Sequence, residues 1–172
     1  MPNANQSATA ALRELAIDRV TWSRGFLNAL LAQMTDEQLM ARAAGSGNHA
    51  MRVMGHMATV DDNVIAAITG EPHRLPETYR TLFAMGSKPT DNAADYPSRK
   101  ELTEAMGAAR ERLKQWIATL DDSTAFEPTP ERMQRFAPNR VVLGLTVSSH
   151  EMMHAGQLTA VRAALGLPRL VQ

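Results

Sequence analysis

His150-Glu151-Met152-Met153-His154-Ala155-Gly156-Gln157 is the stretch from which the rest of the chain is read. Its two histidines stand four residues apart, so on a helix they project one turn apart from a single face. That spacing lets two imidazoles grip one metal ion. Working outward, Leu143, Val147, His150, His154, Leu158, Val161 and Leu165 step by three or four residues, the period of a helix with one face on a core. The spacing predicts a long helix from about Arg140 to Leu165, with both histidines in its buried stripe. Gly166 is placed for a left-handed cap, and Pro168 blocks continuation. A histidine pair in such a stripe is either neutral and hydrogen-bonded or metal-bound.

Three more segments carry the same period. The first runs from about Ala8 to Met34 through Leu12, Leu15, Ala16, Val20, Leu27, Leu30 and Leu31. Gly25 lies inside it, and Trp22 and Phe26 read as core or interface. Thr35-Asp36-Glu37 ends it or caps a short turn through Leu39 and Met40. After a break at Gly45-Ser46-Gly47-Asn48, where Ser46 or Asn48 can cap, the second helix carries Val53, Met57, Val60, Val64 and Ile68 to Thr69. Gly70 and Pro72 stop it. The third opens on the capping box Ser98-Arg99-Lys100-Glu101 and continues through Leu102, Met106, Ala109, Leu113, Trp116, Ile117 and Leu120.

Between helices two and three the chain is rich in proline and turn residues, with Tyr79 to Phe83 as a short helical turn. Extended, this connection reaches about 90 Å, whereas a helix of about 24 residues is about 36 Å long. It can therefore cross the molecule, which makes helices two and three parallel neighbours. A second loop spans Asp121 to Asn139. The expected fold is all-α, a four-helix bundle with a long crossover between helices two and three, in one domain over residues 1–172.

Composition narrows the function. A chain of 172 residues with 44% apolar content suits a folded domain. Lys plus Arg balance Asp plus Glu at 18 each, which gives no electrostatic case for nucleic acid or an anionic membrane. There is no cysteine, so disulfides, protein thiolates and Cys-ligated zinc are excluded. No apolar run is long enough to span a membrane. Met1 to Ser7 lacks the features of a signal peptide, and a cytoplasmic location is expected.

His150-Glu151-Met152-Met153-His154 also matches H-E-x-x-H, the zinc-protease motif. The context argues against that reading. Gly156 falls too early for the longer metzincin pattern, and no Glu, Asp or His follows His154. A third ligand must come from upstream, from His49, His56 or His73. His73 reads as a solvated loop residue, and His49 lies beside the cap of helix two. His56, flanked by Met54, Met57 and Val60, is the best placed to meet the pair. From the residues alone, its plainer reading is a hydrogen-bonded core histidine.

The chain resembles the damage-inducible DinB/YfiT-like superfamily. Gly55-His56-Met57-Ala58 with Asp61-Asp62 carry the likeness on helix two. On helix four it rests on His150 to Gln157 and on Val161-Arg162-Ala163-Ala164-Leu165-Gly166-Leu167-Pro168. The resemblance implies a divalent metal, zinc or nickel foremost, bound by His56, His150 and His154. It also implies parallel helices two and three, and a homodimer. It further implies a small-molecule substrate, with activity as a thiol S-transferase using a low-molecular-weight thiol, or as a hydrolase. The alternative is a non-catalytic, stress-associated metal- or ligand-binding bundle. Ala155 departs from the family, which often has a basic residue there.

Neighbouring residues carry lesser expectations. Glu151 points about 100° from His150 around the helix. It is the candidate catalytic base, although a solvated glutamate is the plainer reading. Gln157 is the candidate cofactor-site residue, either orienting His154 or joining helices. Asp61 and Asp62 either orient a ligand or are solvated, the second being the plainer reading. Arg162, two turns along the same face, either supplies a charge near the site or, more plainly, is solvated. Met152-Met153 read as core or interface.

Overall fold

The computed structural model describes residues 8–43 and 47–170. Four long helices dominate: α1 (Ala8–Ala32), α2 (Ala50–Thr69), α4 (Arg99–Ala118) and α6 (Arg140–Ala164). Short helices α3 (Glu77–Leu82) and α5 (Glu131–Gln134) lie within the two connections, and a 3-10 turn over Gln38–Met40 follows α1. Among the described residues there is no strand, only a single antiparallel bridge between Pro128 and Asn139. No helix there is long and apolar enough to cross a membrane.

The ends are set by local chemistry. At α4, Ser98 Oγ accepts from the Glu101 amide while the Glu101 carboxylate accepts from the Ser98 amide, the expected capping box. Asn139 caps α6 through the Val142 amide. Gly70 ends α2 with φ +73, and Gly166 follows α6 with φ +69, conformations that glycine adopts without a Cβ clash. The cap of α2 differs from expectation. His49, not Asn48, is the capping residue, and its Nδ1 accepts from the Arg52 amide; Ser46 lies outside the described residues. The ring can serve because His49 is buried and its Nε2–H donates to the Thr90 carbonyl, which leaves Nδ1 as the acceptor.

Cross-helix pairs show how the bundle is strung. Met54 and Met57 share one core cluster with Leu102 and Met106, and Val64 and Ile65 share another with Leu113 and Ile117, with Asp61 meeting Arg110 between them, so α2 and α4 run parallel, as the length of the crossover predicts. Ser148 reaches Arg19, Glu151 reaches Ser23 and Arg24, and Arg162 reaches Leu30, so α1 and α6 are parallel too. The pairs oppose each other: Arg13 bonds the Leu120 carbonyl at one end and Arg99 the Met34 carbonyl at the other.

The interior has two apolar halves. One gathers Leu27, Leu30, Met54, Met57, Leu102 and Leu158. The other gathers Val20, Ile65, Leu113, Ile117, Leu143 and Val147. Between them lies a charged layer with one residue from each long helix. Arg24 Nε donates to Glu151 Oε1 at 2.6 Å, and its Nη2 to Asp61 Oδ2 at 3.1 Å. Arg110 Nε donates to Asp61 Oδ2 at 2.8 Å, and its Nη1 to Glu151 Oε2 at 2.9 Å. All four are buried, and two positive charges meet two negative ones. Buried charges persist when paired and hydrogen-bonded in this way.

This layer corrects two expectations. Glu151 and Asp61 are not solvated, because they neutralise Arg24 and Arg110 in the interior. Asp62 is buried as well, accepting from Arg112, from the Arg74 amide and from the His73 ring. His73 is accordingly held against the bundle rather than free in its loop. Arg162 is buried too, donating to the carbonyls of Leu30 and Pro168 and to Gln33. It secures the chain after α6 and does not charge the site. Leu15 and Trp22, by contrast, are exposed, with Trp22 stacked on Phe26 at 5.8 Å.

Candidate metal centre

His56 on α2 faces His150 and His154 on α6. The three rings stand nearly perpendicular to one another, with centroids 5.3 Å apart for His56–His150, 4.9 Å for His56–His154 and 4.7 Å for His150–His154. One ring nitrogen from each lies within 4.8 Å of the other two. His49 and His73 stay outside the group.

Two of the rings are oriented by a second partner. The Phe83 carbonyl lies 3.0 Å from His56 Nδ1, and a carbonyl can only accept, so Nδ1 carries the proton and Nε2 keeps its lone pair. Gln157 Oε1 does the same for His154 Nδ1 at 3.0 Å, while also accepting from Asn48 Nδ2 at 3.3 Å. Gln157 thus both orients a histidine and joins α6 to the segment before α2.

His154 Nε2 stands 3.2 Å from His150 Nε2. Nitrogens sharing a tetrahedral ion at about 2.0–2.1 Å lie about 3.3 Å apart, so this separation fits a common ion. Burial lowers the pKa of His56 from 6.5 to about 4, against the pull of its Phe83 hydrogen bond. Burial also lowers His154 to about 4, helped by the neighbouring His150 and opposed by Gln157. His150 is lowered by burial and pulled back by Asp61 and Glu151. All three are neutral at physiological pH, the state in which imidazole binds metal.

Glu151 does not enter this group. Ser23 Oγ donates to its carboxylate at 2.6 Å, and Arg24 and Arg110 occupy the remaining positions. The 100° offset turns it into the charged layer behind the histidines. Asp61 is committed in the same way.

What sequence reading missed is the support around His56. Phe83 packs against Gly55 so closely that a Cβ on Gly55 would fall inside its ring. Only glycine lets that ring seat and bring its carbonyl to His56. Arg52 fastens the same segment, donating to the carbonyls of Phe83 and Ala84 and to Ser87 Oγ. The buried arginines did leave a signal. Arg24 falls between Val20 and Leu27, and Arg110 between Met106 and Leu113, at core spacing on their helices.

The histidines form one wall of a cavity of about 600 Å³ that opens to solvent. A bundle of two parallel helix pairs, with three neutral imidazoles converging on such a cavity, defines a candidate metalloprotein class. The chain belongs to the DinB superfamily, whose sequence pattern matches residues 19–158. No curated protein matches it. Solved structures share its fold, two of them as follows. A conserved protein from Enterococcus faecalis superposes with a TM-score of 0.67 at 17% identity, covering 89% of this chain and 96% of its own. YfiT from Bacillus subtilis superposes with a TM-score of 0.65 at 17% identity, covering 98% of this chain and 94% of its own. YfiT is described as a probable metal-dependent hydrolase with an unusual four-helix bundle topology.

Proposed function

We propose that the chain is a divalent-metal-dependent enzyme acting on a small molecule, with His56, His150 and His154 as the metal ligands. The observation that carries this reading is the convergence of three neutral imidazoles on an open cavity, with no fourth protein donor in the group among the described residues. Structural zinc sites are closed by four protein ligands, whereas catalytic ones use three. Zinc and nickel both suit an all-imidazole set.

A divalent ion there supplies Lewis acidity and lowers the pKa of a coordinated water or thiol. The protein's own contribution is to hold the ligands. Phe83 and Gln157 fix the tautomers of His56 and His154, and burial keeps the rings unprotonated. No carboxylate among the described residues lines the cavity to act as a base. Hydrolysis is the first reading, supported by the likeness to YfiT. Thiol transfer is the second. In a chain without cysteine, any thiol would arrive as a low-molecular-weight cofactor.

The test is metal content per chain by mass spectrometry after gel filtration, alongside ester-hydrolysis and thiol-conjugation panels with and without chelator. Metal should be retained by the parent and by His73→Ala, and sharply lost from His56→Ala, His150→Ala and His154→Ala. His49→Ala should have at most a modest effect, through the cap of α2. Full occupancy in His56→Ala would overturn the ligand set. Stoichiometric metal without any metal-dependent rate would leave a non-catalytic binding bundle.

A further inference from the structure

The walls of the cavity restrict what can enter it. Val60, Val64, Leu143 and Val147 line its sides, and Met85, Phe136 and Met153 are exposed by 75%, 53% and 54%. An open rim of large apolar side chains beside a site costs solvation unless a ligand covers it. The charge is one-sided. No Asp, Glu or Lys lines the cavity among the described residues, and its one ionised side chain is Arg52.

The Arg52 fork is spent on Phe83, Ala84 and Ser87, and its Nε is sealed from solvent without a partner. Arg52 therefore gives the cavity a positive field but no free bidentate grip. Arg135 stacks on the lining residue Phe136 at 4.5 Å, adding a second positive charge next to that ring. The nearest interior carboxylates, Asp61 and Glu151, are already neutralised by Arg24 and Arg110.

We propose that the cavity selects molecules with an apolar, aromatic-sized body whose histidine-facing end is neutral or anionic, and that it excludes cations. This rests on the reading of the three histidines as a metal centre, since a bound divalent ion adds positive charge at the same wall. The reacting group would lie toward the histidines, with its body against Val60, Leu143 and Phe136. The polar groups that also line the cavity, among them Thr59, Asn63 and Thr146, are uncharged, so they can hydrogen-bond a neutral or anionic end but offer no counter-charge to a cation.

The test is displacement of the uncharged fluorescent probe N-phenyl-naphthylamine from the metal-loaded chain by three ligands of one body: phenylbutyrate, phenylbutyramide and phenylbutylamine. The probe should bind once per chain. The acid and the amide should displace it, with the amine at least about tenfold weaker. Phe136→Ser/Met153→Ser, both at exposed positions, should weaken probe and amide about tenfold without altering metal content. Equal displacement by the amine, or unchanged binding in the double variant, overturns the assignment while metal content stays intact. A parent chain that retains no metal removes the metal-centre reading instead, and the assignment with it.

Discussion

Gly55 and Phe83 show how much of the site rests on one missing side chain. The ring covers Gly55, its carbonyl meets His56 Nδ1, and Arg52 clamps the backbone behind it. Gly55→Ala should force the ring out and free the carbonyl from His56. Overpacking of this kind costs about 1–3 kcal/mol, and metal affinity should drop about tenfold or more as the ring loses its orienting partner. Calorimetric Tm together with metal titration reads both effects. Unchanged metal affinity would show that the carbonyl does not position the ring. The ligand spacing on α6 was legible because a helix fixes it. The Phe83 carbonyl was not, because backbone groups carry no sequence signature and the contact spans 27 residues.

The long helices were legible, since each combines apolar period with a strong stop or cap: Ser98 and Glu101, Gly70, Gly166. The cap of α2 was harder to read, because histidine is an unusual capping residue and becomes one only when buried with a fixed tautomer. This has a pH consequence. Burial pulls His49 from 6.5 to about 4, opposed by its hydrogen bond to Thr90. The folded pKa lies below the unfolded one, so between those values the unfolded chain takes up a proton that the folded chain refuses. Stability is fully present above pH 6.5 and declines as pH falls toward 4. His56 and His154 act in the same direction in the metal-free chain. His49→Asn keeps a side-chain acceptor at the cap and removes one titrating group. The fall in urea midpoint between about pH 7 and about pH 5 should be shallower in this variant than in the parent. An equal fall in both would exclude His49 as a contributor.

At the scale of the molecule, Arg24, Asp61, Arg110 and Glu151 tie the four long helices at one level. Glu151→Ala would leave Arg24 and Arg110 facing Asp61 alone, and removing one partner of a buried ion network costs about 3–5 kcal/mol. Chemical denaturation should show a loss of that size. A loss under about 1 kcal/mol would mean that water already screens the layer. Glu151→Gln keeps the shape and the hydrogen bond from Ser23 while removing the charge, so the difference between the two variants isolates charge from packing. The crossover and the parallel α2–α4 pair could be argued from loop length alone. Of the charged layer only the core spacing of Arg24 and Arg110 was legible; their pairing with Asp61 and Glu151 was not, because single charges on apolar faces look solvated until the opposite helix is known.

The parallel pairing of α1 with α6 has a kinetic meaning. Its contacts join residues 128, 129 and 132 positions apart, so α1 pairs with a helix made after both α2 and α4. Helical proteins usually fold fast because their contacts are local; this one defers its longest closure to the end. During synthesis Leu27, Leu30 and Leu31 can meet their neighbours on α2 and α4 first, and meet Leu158 and Val161 only once α6 emerges. Refolding from urea should accordingly be slower than that of an up-and-down bundle of equal length.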